Sequence, residues 1–260
     1  GPADRRQIFA ALDDSTAAVI LQNPNFFCVV DDHTDIVRHC HNRGVMVIQS
    51  VYPIALAAIK TPGEMGVDIA TGEGQCLGMP LNFGGPYLGI MATTAALVRR
   101  LPGRIVGRTV DALGREAFVL TLQAREQHIR REKAASNICT NETLCAIRAH
   151  IYLSLLGRAG LRSVARLCRA KTEYAKQRFG QVRGVTVLDT GPTFNEFVLR
   201  VPMDAGDLAG MLVERGIAPG LPLGRFYPSM ADCLLVAVTE KRTKHEIGIF
   251  AEALENALWR

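Results

Sequence analysis

The sequence predicts an α/β fold with a mostly parallel sheet, followed by a smaller α+β domain. Three observations carry this prediction. Strand and helix signals alternate in the first half, glycine-bounded connections join them, and the order of elements changes near residue 160. A chain of 260 residues is long enough for one or two domains with buried cores. We therefore divide it into a larger domain at residues 1–160 and a smaller one at residues 161–260.

The first elements form a strand–helix pair. Residues 25–30 are a short apolar run and predict the first strand. Residues 32–34 offer an N-cap for a helix whose apolar face consists of Ile36, Val37 and Cys40.

Further strands follow along the first half. Residues 45–48 are continuously apolar, which is typical of a parallel strand buried on both faces. Residues 67–71 predict the next strand, and together these elements predict a strand–helix–strand unit. A strand at 88–90, a helix carrying Leu97 and Val98, and a strand at 117–122 are also expected.

Two helices connect the predicted domains. The first is expected at residues 141–156, the second at residues 161–179, and Gly157 and Gly160 separate them. Helical spacing aligns four apolar residues of the first helix on one stripe, namely Leu144, Ile147, Ile151 and Leu155.

The last hundred residues change to strand, strand, helix, strand, helix. The predicted strands are residues 185–188, 196–201 and 233–239. Asp204 caps the helix between them, and Thr243 and Glu246 form a capping box for the final helix.

Composition excludes several classes of protein. The net charge of +5 is mild, so nucleic acid is not expected as a partner. No apolar stretch is long enough for a membrane span, and the first residues lack the apolar part of a signal peptide.

Seven scattered cysteines without a CxxC pair suggest a reducing compartment, and we expect a cytoplasmic location. No metal site is expected, because His39 and His41 lie on different faces of a helix.

Two segments are unusual. The glycine-rich residues 72–86 follow a predicted strand, where α/β proteins bind ligands, although backbone packing explains such glycines equally well. Residues 123–140 are dense in charged and amide groups between two apolar elements, and they are either a solvated face or an anion-binding or interface segment. Its candidate active-site-lining or interface residues are Arg125, His128, Arg130, Arg131, Ser136, Asn137 and Thr140.

Several motifs in the same order resemble one family. They are residues 22–27 (QNPNFF), 62–66 (PGEMG), 72–75 (GEGQ), 84–86 (GGP), 103–107 (GRIVG) and 125–140. The chain resembles P-protein, the glycine decarboxylase of the glycine cleavage system. The similarity is to its N-terminal half, which in many bacteria is a separate α subunit, subunit 1.

The resemblance implies a fold-type-I pyridoxal-phosphate (PLP) architecture, similar to that of aspartate aminotransferase. A partial large domain with a mostly parallel sheet would precede a small C-terminal α+β domain. The family subunit has a further N-terminal region that this chain lacks, so we expect the chain to be a fragment.

The resemblance also implies the chemistry. The family decarboxylates glycine on PLP and transfers the aminomethyl group to the lipoyl group of H-protein. No lysine lies between Lys60 and Lys133 to form the Schiff base, and Cys76 and Gln49 fall near the lysine and acidic positions of the family's catalytic half. We therefore expect no catalytic, cofactor-binding or metal-binding residue in this chain, with the pyridoxal phosphate held by the lysine-bearing β subunit, glycine dehydrogenase subunit 2.

Two alternatives stay open. One is a complete PLP enzyme such as an aminotransferase, against which the absent lysine argues. The other is a non-catalytic structural or regulatory module. The isolated chain is expected to be inactive as a glycine dehydrogenase (aminomethyl-transferring) component and to form homo-oligomers without its partner.

Overall fold

The computed structural model describes residues 1–134 and 141–259. Ten strands are assigned in this part of the chain. They are β1 Ala18–Asn23, β2 Met46–Val51, β3 Ile69–Glu73, β4 Gly89–Thr93, β5 Ile105–Val110, β6 Glu116–Thr121, β7 Thr186–Val187, β8 Glu196–Arg200, β9 Leu221–Pro222 and β10 Cys233–Ala237. The α-helices are α1 Arg5–Ala11, α2 Thr34–His41, α3 Pro62–Met65, α4 Gln127–Arg130, α5 Thr143–Phe179, α6 Ala205–Val213 and α7 Lys244–Trp259.

The first sheet has the strand order β1-β2-β3-β4. β1, β2 and β3 run parallel, and β4 joins β3 antiparallel. Helix α2 packs its predicted apolar face on this sheet, with Ile36, Val37 and Cys40 buried in one cluster with Leu21 and Val47. The prediction of a mostly parallel sheet is confirmed.

The opposite face of this sheet is open to solvent. The register places Ile20, Met46 and Met91 on this face, and their exposed fractions are 75%, 38% and 45%. A shallow cleft of about 120 Å³ lies there between Met46, Ile69 and Met91. Sheets with parallel strands are normally covered on both faces. Among the described residues, no element covers the side chains of Ile20, Met46 and Met91 on this face.

The prediction of a strand at residues 25–30 was wrong. The first strand is β1, and residues 25–29 form a turn closed by Asn25, whose side-chain oxygen accepts hydrogen bonds from the amides of Phe27 and Val29, both at 3.0 Å. Cys28 has a φ of 58°, which a strand does not allow. The apolar residues of this segment indicated burial, but hydrogen bonds within the segment determine its backbone conformation.

Strands β5 and β6 form a separate two-stranded hairpin. β6 lies where the sequence predicts a strand, whereas β5 was not predicted. The hairpin turn is held by Asp111, whose carboxylate accepts from the amides of Leu113 at 2.8 Å and Arg115 at 3.0 Å.

Helix α5 contains both of the predicted connecting helices. Gly157 has a φ of 59° and a ψ of −174° and kinks it, while Gly160 continues the helix after the kink. The predicted apolar stripe before the kink faces solvent; the exposed fractions of Leu144 and Leu155 are 81% and 83%. Hydrophobic spacing therefore gave the stripe, but not whether another element covers it.

The second sheet is antiparallel, in the order β7-β8-β10-β9. The core between this sheet and helices α5, α6 and α7 includes the buried side chains of Phe197 and Leu234 from the sheet, Leu208 from α6 and Leu254 from α7. The predicted caps are confirmed: Asp204 accepts from the amides at the start of α6, and Thr243 and Glu246 exchange hydrogen bonds at the start of α7. The domain division near residue 160 stays a prediction. Among the described helices, none is long and apolar enough to cross a membrane.

Candidate functional site

The carboxyl ends of the parallel strands converge at one edge of the first sheet. This edge is where open α/β sheets bind ligands. Asn23 ends β1, Tyr52 directly follows β2, and Cys76 lies three residues after β3. The Asn23 amide is buried and is bound to the backbone of Asp31, donating to its carbonyl at 2.8 Å and accepting from its amide at 3.1 Å. Asn23 therefore holds the loop after β1.

We define the strand-end cluster as Tyr52, Cys76, Cys168 and Glu240. Tyr52 and Cys76 come from the sheet edge, and their side chains interact with each other. Cys168 comes from α5, and its thiol donates to the Glu240 carboxylate at 3.4 Å. Lys171 donates to the backbone carbonyl of Glu240. The cluster thus joins the first sheet, the connecting helix and the segment before α7.

Burial keeps the cluster's thiols and phenol protonated. It raises the pKa of Cys76 to about 11 and that of Cys168 to about 12. Burial likewise raises the pKa of the Tyr52 phenol. Thiols with such pKa values are poor nucleophiles at neutral pH. The cluster therefore packs the strand ends and offers no activated nucleophile.

The sheet edge also lacks a primary amine for a Schiff base. No lysine occurs between Lys60 and Lys133. The segments that follow β3 and β4 therefore contain no amine that could form a Schiff base. Lys60 lies before α3 and binds the carboxylate of Asp32 at 3.1 Å and the hydroxyl of Thr34. Lys171 and Lys176 lie on α5 and hold Glu240 and Glu173.

Gln49 occupies the centre of β2 on the covered face of the sheet. Its side chain is fully buried, and neither its amide oxygen nor its amide nitrogen has a hydrogen-bond partner among the described residues. A neutral amide cannot hold a pyridinium proton as a carboxylate does. Neither the strand ends, which carry no lysine, nor Gln49 on β2 therefore fits a covalently held PLP.

The glycine-rich segment is explained in part by close packing. A Cβ on Gly72 would lie 2.9 Å from the carbonyl oxygen of Val51 on β2. Gly78 has a φ of 88°, and a Cβ there would lie 2.7 Å from Tyr152 on α5. Arg148 also donates to the Gly78 carbonyl at 2.8 Å. Because glycine has no Cβ, Gly72 can lie against β2 and Gly78 can lie against α5.

The charged segment begins with an anchored arginine. Arg125 is 6% exposed, and its guanidinium donates to the backbone carbonyls of Leu101 and Gly103, while its Nε has no partner. It therefore fixes the segment to the start of the hairpin. Glu126 is also buried, with its carboxylate 3.7 Å from Arg104 and from His128.

The next candidates are solvent-exposed. His128 is about half exposed, and Arg130 and Arg131 are exposed without an ion pair among the described residues. Arg131 has a φ of 52°, so the chain turns sharply there. Ser136, Asn137 and Thr140 lie outside the described residues. The start of α5 is two residues later than predicted, and its N-cap Glu142 makes no side-chain capping bond.

Sequence reasoning singled out Cys76 but missed the other three members of the strand-end cluster. Tyr52 directly follows β2, so the rule that sites lie at strand ends could have found it. Cys168 and Glu240 stand 72 residues apart, and no local pattern links them.

Comparison with known proteins decides the family. The sequence model of the glycine cleavage system P-protein family matches residues 3–254. The chain belongs to the P-protein family. Among curated relatives, the "Probable glycine dehydrogenase (decarboxylating) subunit 1" of Geotalea uraniireducens is 56% identical over 258 residues, which are 99% of this chain and 58% of that relative. The protein of the same name from Nitratidesulfovibrio vulgaris (strain Miyazaki F) is 52% identical over the same shares of the two chains.

Solved structures agree with the fold. A crystal structure of glycine decarboxylase (P-protein) of the glycine cleavage system, in inhibitor-bound form, matches with a TM-score of 0.89 and 41% identity, over 95% of this chain and 56% of that one. A NifS-like protein from Rickettsia africae matches with a TM-score of 0.68 at 14% identity, over 96% of this chain and 64% of that one, which shows the fold alone. The chain has the fold-type-I architecture predicted from the sequence. It spans little more than half the length of these curated relatives.

Proposed function

We propose that this chain is part of the α subunit of a glycine decarboxylase of the glycine cleavage system. The observation that carries the proposal is 56% identity to a subunit 1 over 99% of this chain. The α subunit would support decarboxylation of glycine and transfer of the aminomethyl group to lipoylated H-protein. The name subunit 1 also implies a second subunit, and we infer that glycine dehydrogenase subunit 2 is the partner.

The site chemistry supports a division of labour between the subunits. PLP supplies the electron sink for decarboxylation when it is bound. This chain offers no amine at the strand ends, and its Cys76 thiol and Gln49 amide are neutral. We infer that the β subunit holds the cofactor and that this chain completes the complex.

The charged segment is the part of this chain that we place nearest the chemistry. Arg125 and Glu126 are buried and anchor the start of the segment, and His128, Arg130 and Arg131 follow them as exposed side chains. Guanidinium groups hold carboxylate or phosphate oxygens through paired hydrogen bonds. We propose that this segment lines the partner's active site or the subunit interface.

The test is reconstitution. Glycine–bicarbonate exchange is measured for the β subunit with and without the full-length subunit that contains this chain, in the presence of lipoylated H-protein. We expect exchange to require both subunits. Unchanged exchange without this subunit would leave a structural or regulatory module as the better description.

A spectroscopic test separates the third possibility, a PLP enzyme acting alone. The purified chain is incubated with PLP and dialysed, and its visible absorbance is recorded. We expect no retained absorbance band. A band that survives dialysis and disappears when one of the six lysines is replaced would contradict the proposed division.

A further inference from the structure

A cleft of about 450 Å³ lies beside the second sheet, between the end of β10, residues 216–219 and helix α7. We call it the β10 cleft. Its apolar walls include the side chains of Ile217, Ile247 and Phe250. None of the residues that line it belongs to the strand-end cluster or to the charged segment. Small-molecule sites have volumes of about 300–1,000 Å³ and mostly apolar walls with a few polar groups that orient the ligand. The cleft therefore has the size and the lining of a ligand site.

The direction of the backbone groups of β10 follows from the register of the second sheet. The Val198 carbonyl on β8 accepts a hydrogen bond at 2.9 Å from the amide of Leu188, directly after β7. Val198 lies opposite Leu235 on β10. In an antiparallel sheet, the N–H and C=O of one residue point to the same neighbouring strand, and successive residues alternate. The N–H and C=O of Leu235, and those of Ala237 two residues later, therefore point away from β8 and toward β9.

β9 ends before it reaches Ala237. Its Leu221 pairs with Leu235. Continuing this ladder by two residues would place Pro219 opposite Ala237, but proline has no N–H to donate. The N–H and C=O of Ala237 have no hydrogen-bond partner among the described residues. Because Ala237 lines the cleft, these groups offer a ligand one donor and one acceptor.

Arg242 and Glu246 add opposite charges to the lining of the cleft. Nη1 of Arg242 donates to Oε1 of Glu246 at 3.0 Å, and the other guanidinium N–H groups have no partner among the described residues. Hydrogen bonds from the backbone amide and the hydroxyl of Thr243 lower the pKa of Glu246, so this carboxyl group is ionised at neutral pH. The cleft thus combines one cation and one anion with an apolar interior.

This combination of groups narrows the chemistry of the ligand. A carboxylate would accept from the Arg242 guanidinium and from the Ala237 amide, and an ammonium group would donate to the Ala237 carbonyl and the Glu246 carboxylate. An apolar side chain would lose its contact with water against Ile247 and Phe250. The lining contains a single basic residue, which suits one carboxylate better than the several charges of a nucleotide.

We propose that the β10 cleft binds a free α-amino acid with a large apolar side chain, such as leucine. This proposal does not rest on the proposed function, since no residue of the cleft is assigned to glycine decarboxylation. Phe179 at the end of α5 also lines the cleft, so the ligand would contact α5, α7 and β10 together. A ligand that binds only the folded protein stabilises it by mass action. We therefore expect the amino acid to raise the thermal midpoint.

The test uses the full-length subunit that contains this chain. Binding of L-leucine is measured by isothermal titration calorimetry and by the shift of the thermal midpoint. Isocaproate lacks the ammonium group, isopentylamine lacks the carboxylate, and glycine lacks the apolar side chain. We expect each of these three probes to bind at least about tenfold more weakly than L-leucine, because each loses one set of contacts. N-acetyl-L-leucine keeps the carboxylate and an N–H but has no positive charge, and it should also bind more weakly.

Variants locate the site. Arg242→Ala is expected to weaken the binding of L-leucine by at least about tenfold, because a charge-assisted contact is lost. Arg200→Ala is the matched control: Arg200 forms an ion pair with Asp232 at 3.1 Å, and its side chain is 51% exposed, as is that of Arg242. This control should change binding less than about twofold. Ala218→Phe fills the cleft from an exposed lining position and should abolish binding, and the thermal midpoint without ligand checks that each variant folds.

Several results would overturn the proposal. Absence of binding at millimolar L-leucine would show that the cleft takes no free amino acid in the full-length subunit. Equal binding of glycine and L-leucine would remove the role of the apolar walls. Equal binding of N-acetyl-L-leucine would identify the site as one for the carboxyl end of a peptide. Undiminished binding in a folded Arg242→Ala variant, or an equal loss in Arg200→Ala, would place the ligand elsewhere.

Discussion

Arg125 and Arg131 show how differently neighbouring arginines of one segment are used. Arg125 is buried and holds backbone carbonyls, so its charge serves the local fold. Arg131 is exposed, with no ion pair among the described residues. At the residue scale, the candidates for a role in turnover are therefore the exposed members of the segment.

We predict that Arg130→Ala and Arg131→Ala, made separately in the full-length subunit, reduce turnover of the reconstituted enzyme more than stability. Loss of one charge-assisted contact of roughly 1.5–3 kcal/mol costs about ten- to over a hundredfold in rate or binding. Loss of a solvated arginine changes the free energy of unfolding by less than about 0.5 kcal/mol. Glycine decarboxylation, complex formation and the thermal midpoint are measured.

Arg215→Ala is the matched control, since Arg215 is exposed after α6. Unchanged activity in both test variants would make the segment a solvated face. Loss of complex formation with normal turnover in the residual complex would make it an interface.

His33 provides a pH-dependent prediction. Burial lowers the pKa of its imidazole below the usual 6.5, although the Asp31 carboxylate 3.5 Å away opposes this. The unfolded chain therefore binds the proton first as pH falls, and stability is lost from about pH 6.5 downward. We expect the urea midpoint to fall more between pH 7.5 and 5.5 in the wild type than in His33→Gln. An equal fall in both proteins would contradict this assignment.

At the scale of elements, the β5–β6 hairpin exposes an apolar face to solvent. Val106, Val110, Phe118 and Leu120 share one face, since Val106 pairs with Leu120 and Arg108 with Phe118. Their exposed fractions run from 44% to 65%. A two-stranded hairpin is marginally stable alone in water, so this face needs a cover.

We predict that Phe118→Asp in the full-length subunit weakens association with the β subunit. Truncating a central aromatic side chain of an interface costs at least about 2 kcal/mol, or roughly 30-fold in the dissociation constant. Thr109→Asp, on the other face of the hairpin, is the control. A lower thermal midpoint of the unpaired subunit, with normal association, would instead show that the hairpin packs within its own chain.

At the scale of the whole molecule, the first sheet has two free strand edges and one open apolar face among the described residues. In the described chain, β1 and β4 each pair on one side only, and the face that carries Ile20, Met46 and Met91 is exposed. Free strand edges and open apolar faces promote association between chains.

We therefore predict that the 260-residue chain forms homo-oligomers in the absence of a partner. Light scattering across a concentration series measures the mass. Ile20→Lys with Met91→Lys should shift the chain toward monomer, because charges on the open face oppose its burial. A monodisperse wild-type monomer at high concentration would contradict the prediction.

The sequence by itself determined the elements whose signals are local. The face of α2, the caps of α6 and α7 and the break at Gly157 all depend on residues within a few positions of each other, and they were predicted correctly. The ordered motifs also determined the family, because they are long and specific.

Only the tertiary structure decided features that depend on distant contacts. β1 replaced the predicted strand at 25–30 because pairing with β2 and the Asn25 turn outweighed local apolar content. The strand-end cluster joins residues from the sheet, α5 and the segment before α7, so no local spacing marks it. Whether an apolar stripe is buried likewise depends on which other element lies against it, and in α5 the stripe from Leu144 to Leu155 faces solvent.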